Sequence, residues 1–418
     1  MAQLSDDCFA HDRRLTPLDE ALDLLRDRLV AVTPVGAAPL IDCAGRILAE
    51  DIVSDRAVPP HDNSAVDGYA VFFDDLDPDS ETELPVAGRL AAGEAPAGPA
   101  ARGTAIRIFT GAPMPDGPDT VMMQEDCIEA DGRVRIPPGI KRGANRRSAG
   151  EDVAAGATVL TGGQRLRPQD LGLAASIGLT ALPVHAPLSV ALFSTGDELR
   201  DPGEATPPGT VYDANRFALG ALLRGLGCRV TDLGILRDDR ETIAGALGAA
   251  AAGHDLVLTS GGVSVGEEDH VRAAVESQGH IHFWRLAIKP GRPVALGQIG
   301  ATPFLGLPGN PVAVMVTFLR FARPLILRLM GAADPAPALF RVRANFDHKK
   351  KKDRREWVRA RLTTGADGVP VADKVPRQGA GVLSSMVAAD GLVELPEALT
   401  YLEKGTMVDF LPFSEVGA

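Results

Sequence analysis

The stretch Asp255-Leu256-Val257-Leu258-Thr259-Ser260-Gly261-Gly262-Val263-Ser264-Val265-Gly266-Glu267-Glu268-Asp269-His270 decides how this chain is read. Leu256, Val257, Leu258 and Thr259 predict a short buried strand. Ser260-Gly261-Gly262 then turns the chain, because glycine takes positive φ and lets backbone amides approach a ligand. Glu267, Glu268 and Asp269 follow in a row. The spacing of Val271, Ala274 and Val275 predicts a helix capped by Asp269. A strand thus ends in an amide-rich turn with carboxylates at its mouth. In open parallel α/β sheets, ligands bind outside the carboxyl ends of strands. Carboxylates there suit a hard divalent cation, and amides suit phosphate oxygens. The spacing is neither a Walker loop nor a dinucleotide fingerprint.

Working outward, strands and helices alternate over 188–330, which predicts a doubly wound α/β domain. Residues 312–330 are expected to form one long helix. Two more strands end in marked loops, Ser194-Thr195-Gly196-Asp197-Glu198-Leu199 and Gly306-Leu307-Pro308-Gly309-Asn310-Pro311. All three loops meet in one crevice if the sheet is parallel. Ala287-Ile288-Lys289-Pro290-Gly291-Arg292-Pro293 puts two cations on a proline-stiffened turn, with little entropy to lose on gripping an anion. Acids (Asp197, Glu198, Glu268, Asp269), cations (Lys289, Arg292) and the turns at 195–196, 260–262 and 308–310 suit a Mg²⁺-bridged phosphate or pyrophosphate ligand.

The remainder divides around that domain. Residues 1–34 carry a helix at 17–30, with Thr16 as cap, Pro17 in the first turn and an apolar stripe of Leu18, Ala21, Leu22, Leu25 and Leu29. It is expected to pack on the α/β domain. Segments 35–54 and 153–187 form a linking domain. Residues 55–152 read as a β-rich insertion, and 331–418 as a C-terminal β-barrel-like domain. The run Lys349 to Lys352 predicts a solvated hairpin loop.

A chain of 418 residues exceeds a single core. Its formal charge of −12 argues against nucleic acid as a partner. No run is long and apolar enough to span a membrane, and the first residues lack an apolar signal core. Four scattered cysteines point to reduced thiols in a cytoplasm. The histidines show no metal-ligand spacing.

Several strings together resemble the molybdopterin molybdenumtransferases, the MoeA-type enzymes that include the E domain of gephyrin. Pro59-Pro60-His61-Asp62-Asn63-Ser64-Ala65-Val66-Asp67-Gly68-Tyr69-Ala70 matches the family signature, with His61 and Val66 where Phe and Met are expected. Phe109-Thr110-Gly111-Ala112-Pro113 and Gly150-Glu151-Asp152-Val153 match as well. So do Arg354-Arg355-Glu356 and the stretch from Gly379 to Met386. At Arg292 the sequence departs from the family lysine, which keeps the charge but changes its geometry.

The resemblance implies Mg²⁺-dependent insertion of molybdate into adenylylated molybdopterin, with release of AMP. It places Asp67, Asp152, Lys289 and Arg292 in catalysis. Thr110, Arg147, Ser260, Gly261, Gly262, Pro308, Pro311, Arg354 and Ser385 would bind substrate, and Glu198, Glu268 and Asp269 would hold the metal. It further implies a homodimer, and contacts with molybdopterin adenylyltransferase and with molybdoenzyme chaperones are an added expectation. Two other readings stand beside it. The α/β domain also resembles the molybdopterin adenylyltransferases, against which the matches at Asp67 and Asp152 count. A gephyrin-like scaffold role is the second.

Overall fold

The computed structural model describes residues 15–262 and 270–417. Its central sheet contains β1 (Leu15–Thr16), β2 (Ser189–Thr195), β3 (Arg229–Leu236), β4 (Leu256–Ser260), β5 (Gly279–Leu286), β6 (Pro293–Ile299) and β7 (Thr302–Leu307). The order is β1-β5-β6-β7-β4-β2-β3. Strands β7, β4, β2 and β3 are mutually parallel. Strand β6 runs antiparallel to both its neighbours. The cause is local: Gly300 and Ala301 alone join β6 to β7, and a two-residue connection reverses the chain.

All five residues of β4 are buried. Leu256 and Leu258 enter one core, whereas Val257 faces the other. Val190 and Leu192 of β2 alternate in the same way with Ala191 and Phe193. Both faces of the sheet are therefore covered, as a doubly wound sheet requires. Each fully buried leucine contributes about 1.5–3 kcal/mol by leaving water.

The first helix spans Leu18–Arg28 and buries Leu18, Ala21 and Leu25. These side chains share a core with Phe321, Leu325 and Leu329. Val32 N–H donates to the Leu329 carbonyl at 2.9 Å, and Arg328 Nε to the Leu29 carbonyl at 2.9 Å. Thr16 is not the cap. It pairs with Leu286 in the sheet, its hydroxyl is buried without a partner, and Pro17 takes the cap position.

The segment expected as one long helix is helical without a gap over 311–329, as Pro311–Thr317, a π turn Phe318–Ala322, and Arg323–Leu329. Pro324 lacks an N–H and its ring would strike the carbonyl four residues back, which the wider turn accommodates.

Val35–Pro39 pairs with Ala181–His185, and Ile52–Val53 with Thr158–Leu160, so two distant segments close one small unit. Between them a six-stranded sheet runs in the order Thr120–Met123, Gly68–Val71, Ala105–Ile108, Thr82–Leu90, Arg133–Ile136, Ile128–Ala130. After the central sheet, Arg355–Thr364, Pro370–Lys374, Phe340–Ala344, Met407–Pro412 and Gly391–Leu395 pair in that order, and the last returns to the first to close a barrel. Ile288–Lys289 adds to the barrel edge, Lys289 opposite Glu356.

The lysine run is not wholly solvated. Lys350 is 7% exposed, and its ammonium donates to the carbonyls of Pro396, Glu397 and Leu399 at 2.8, 3.3 and 2.6 Å. Three carbonyls replace its water, so the charge can be buried. Lys349 and Lys351 remain exposed.

Candidate active site

The turns after β2, β4 and β7 pack against one another. A Cβ at Gly261 would stand 2.9 Å from the Thr195 carbonyl oxygen, and one at Gly262 would stand 2.8 Å from the Thr195 hydroxyl. Both glycines have positive φ, at +91° and +65°. Only residues without a Cβ let the turns approach this closely. The three turns open onto a cleft of about 370 Å³ lined by Thr195, Gly196, Glu198, Ser260, Gly261, Gly262, Pro308 and Gly309. The expectation of convergence therefore holds for Glu198, Ser260, Gly261, Gly262 and Pro308.

A second cavity of about 360 Å³ adjoins it, sharing Pro293, Pro308 and Gly309. Lys289 and Arg292 line this one, together with Glu356, Trp357 and Arg359 from the barrel. Acids and amide-rich turns thus stand in one of two adjoining cavities, and cations in the other. Lys289 Nζ donates to Glu356 Oε1 at 2.7 Å, and His348 Nε2 lies 3.0 Å from the same oxygen. Burial pushes the Glu356 carboxyl up, but the hydrogen bonds from His348 and Lys289 and the Lys289 charge outweigh it and hold the group at about 2.

Pro311 opens the helix behind Asn310 and lines neither cavity. Arg354 lines neither, and its Nε is buried without a partner. Ser385 is 2% exposed; its hydroxyl donates to the Val382 carbonyl at 2.6 Å and accepts from Arg359 Nε at 3.1 Å. It therefore acts on the cavity through Arg359. Glu268 and Asp269 lie outside the described residues.

The remaining candidates gather on the six-stranded unit. Thr110 donates to Asp67 Oδ1 through both its amide and its hydroxyl, each at 2.8 Å. These bonds lower the Asp67 carboxyl below its ordinary value, the backbone bond contributing most. Asn145 and Ala112 anchor the same segment through the Ala65 and Ser64 backbone. Arg147 pairs with Asn63 across a short ladder, and the Asp152 amide donates to the Val58 carbonyl at 3.0 Å. Arg147 and Asp152 are exposed. None of Asp67, Thr110, Arg147 and Asp152 lines either cavity.

Four residues of the two cavities escaped the sequence reading as site residues. Asn215, first in the helix Asn215–Gly225, donates through Nδ2 to Ser260 Oγ at 2.9 Å and to the Gly309 carbonyl at 2.6 Å. It ties two of the turns together. Asp238 follows β3 and lines the cleft. A fourth strand-end loop was the available signal for it. Glu356 and Arg359 come from the barrel strand Arg355–Thr364, in which 356–360 are all buried, so no alternation in the sequence marks them out.

Among the described residues, no group of three or more His, Cys, Asp or Glu side chains could hold a metal ion. Glu198 and Asp238 nevertheless line one cleft beside the Ser260 turn. Hard oxygens in this number fit Mg²⁺, which takes one or two carboxylates and fills its shell with water and substrate phosphate. Among the described residues, no helix is long and apolar enough to cross a membrane.

Comparison with known proteins covers nearly the whole chain. Residues 16–178 match the MoeA N-terminal region (domain I and II), 191–328 a probable molybdopterin binding domain, and 341–413 the MoeA C-terminal region (domain IV). The molybdopterin molybdenumtransferase of Haemophilus influenzae is 38% identical over 96% of this chain and 99% of its own length. Molybdopterin molybdenumtransferase 2 of Mycobacterium tuberculosis is 34% identical over 92% of this chain and 96% of its own. The crystal structure of the molybdopterin biosynthesis moeA protein from Pyrococcus horikoshii OT3 superposes with a TM-score of 0.81 at 28% identity, over 96% of this chain and all of that one.

Proposed function

The chain belongs to the molybdopterin molybdenumtransferase family, as a transferase of molybdenum cofactor biosynthesis, and we propose that it inserts molybdate into adenylylated molybdopterin with release of AMP. The observation that carries this reading is the pair of adjoining cavities, one with acids and amide-rich turns and the other with cations. The amide-rich turns at 195–196, 261–262 and 308–309 receive the pyrophosphate. Lys289, Arg292 and Arg359 receive the tetrahedral oxyanion, whose charge they oppose in a partly dry cavity. Arg292 offers a planar fork where the family has a lysine. Glu198 and Asp238, with Asp269 from outside the described residues, would hold Mg²⁺; when bound it supplies Lewis acidity to the phosphoanhydride. The stacked turns fix the phosphoanhydride relative to the oxyanion, which converts binding into proximity.

Asp67, Thr110, Arg147 and Asp152 complete the site from the six-stranded unit of a second copy. Their absence from the lining of either cavity favours this homodimer over a site built within one chain. The test is to incubate the full chain with adenylylated molybdopterin, molybdate and Mg²⁺ and to follow the nucleotide. AMP release that needs all three is expected. Absence of AMP, or AMP release indifferent to chelation of Mg²⁺, would overturn the reading.

A further inference from the structure

Glu356 is 4% exposed in its side chain, against 46% for Lys289. Its Oε1 serves both Lys289 and His348, while Oε2 is buried with no partner. An unpartnered carboxylate oxygen in the interior is costly to the fold. A buried ion pair is in any case weak evidence for stability. The carboxylate therefore asks for another explanation, and its surroundings supply one.

Behind it, His348 Nδ1 lies 3.1 Å from Lys374 Nζ. An ammonium only donates, so Nδ1 accepts and Nε2 carries the proton given to Glu356. Lys374 stands 5.9 Å from the Phe346 ring centroid, and that ring meets His348 edge-on at 6.4 Å. Lys374, His348 and Glu356 thus form one polar chain. Glu356 lines the same cavity as Lys289, Arg292 and Arg359. Lys289 spends one of its three N–H donors on Glu356, and two remain. Without that anchor a half-exposed lysine would lose more rotamer freedom on binding an anion.

We propose that Glu356 is a positioning residue that presents the Lys289 ammonium to a tetrahedral oxyanion, with His348 and Lys374 setting the carboxylate from behind. This rests on the functional reading above, in which Lys289 receives molybdate. It also gives the strand contact between Lys289 and Glu356 a role, because the barrel then completes an anion site begun on the α/β unit.

The test is equilibrium dialysis of the full chain against molybdate alone. Wild type is compared with Glu356→Gln, His348→Gln, Lys289→Ala and the Glu356→Gln/Lys289→Ala double variant, with thermal melts alongside. Glu356→Gln is expected to weaken binding roughly ten-fold, about one decade in Kd, and His348→Gln to weaken it less. On the Lys289→Ala background Glu356→Gln should change nothing further, since its effect runs through Lys289. A loss that persists on that background would mean a structural role and overturn the proposal. So would unchanged or tighter binding in Glu356→Gln with wild-type binding intact, and the functional reading would survive that result. Should Glu356→Gln not fold, unchanged molybdate binding by folded His348→Gln overturns the proposal. Wild type that binds no molybdate overturns both readings.

Discussion

Thr110 gives two hydrogen bonds to one oxygen of Asp67, from its amide and from its hydroxyl. Those donors favour the ionised carboxylate and fix its direction at the end of the strand Gly68–Val71. Thr110→Val removes the hydroxyl and keeps the shape. Turnover should fall roughly ten-fold with the loss of one charge-assisted hydrogen bond. The Asp67 pKa should rise, so the acid limb of the rate profile should move to higher pH. The thermal midpoint should barely move, because Thr110 is exposed. A large fall in midpoint would instead make Thr110 a structural residue.

Asp67 and Glu198 sit on different units, which makes the shared-site proposal directly testable. Asp67→Ala and Glu198→Ala proteins, each expected to be inactive, are mixed under conditions that exchange subunits. A shared site leaves one intact site per mixed dimer, and AMP release returns. Folded, verified mixed dimers without recovered AMP release would mean that each site lies within one chain.

Asn215 binds two turns of the cleft at once, so Asn215→Ala should loosen the cleft more than the fold. Two lost hydrogen bonds correspond to about 1–3 kcal/mol. We expect turnover to drop at least ten-fold, with a change of only a few degrees in thermal midpoint. Wild-type kinetics in the variant would show that the turns need no tie.

The lysine run separates burial from charge. Lys350→Ala strands three carbonyls and should destabilise by about 1–3 kcal/mol. Lys351→Ala should stay within about 0.5 kcal/mol. In activity the order changes: Lys289→Ala should weaken molybdate use, and Lys351→Ala should not. Equal activity losses at 289 and 351 would remove the argument from position.

The Glu356 carboxyl sits at about 2 in the folded chain, against an ordinary value of 4.5. A depressed carboxylate pKa contributes stability that is present above the unfolded value and is lost as pH falls through the folded one. The window is therefore from about 4.5 down to about 2. Urea melts of wild type should lose stability across that window, and Glu356→Gln should lose less. Parallel pH curves for the two proteins would place the acid sensitivity elsewhere.

What the sequence by itself determined is what depends on near neighbours along the chain. The apolar run 256–259 dictated a buried strand, Gly261-Gly262 a turn, and the alternation over 188–330 a doubly wound sheet. The string from Pro59 to Ala70 carried the family, and with it the candidate acids. Tertiary structure decided the rest. The pairing of Lys289 with Glu356 spans 67 residues, and the tie from Asn215 to Gly309 spans 94. Lys350 looked solvated because its run is charged, yet packing brought three carbonyls to it. Thr16 looked like a cap until β5 claimed its backbone. Periodicity and turn chemistry act over a few residues, so they can be read in order. Whether a charge is buried, and which distant group then satisfies it, is set by which surfaces meet when the units pack.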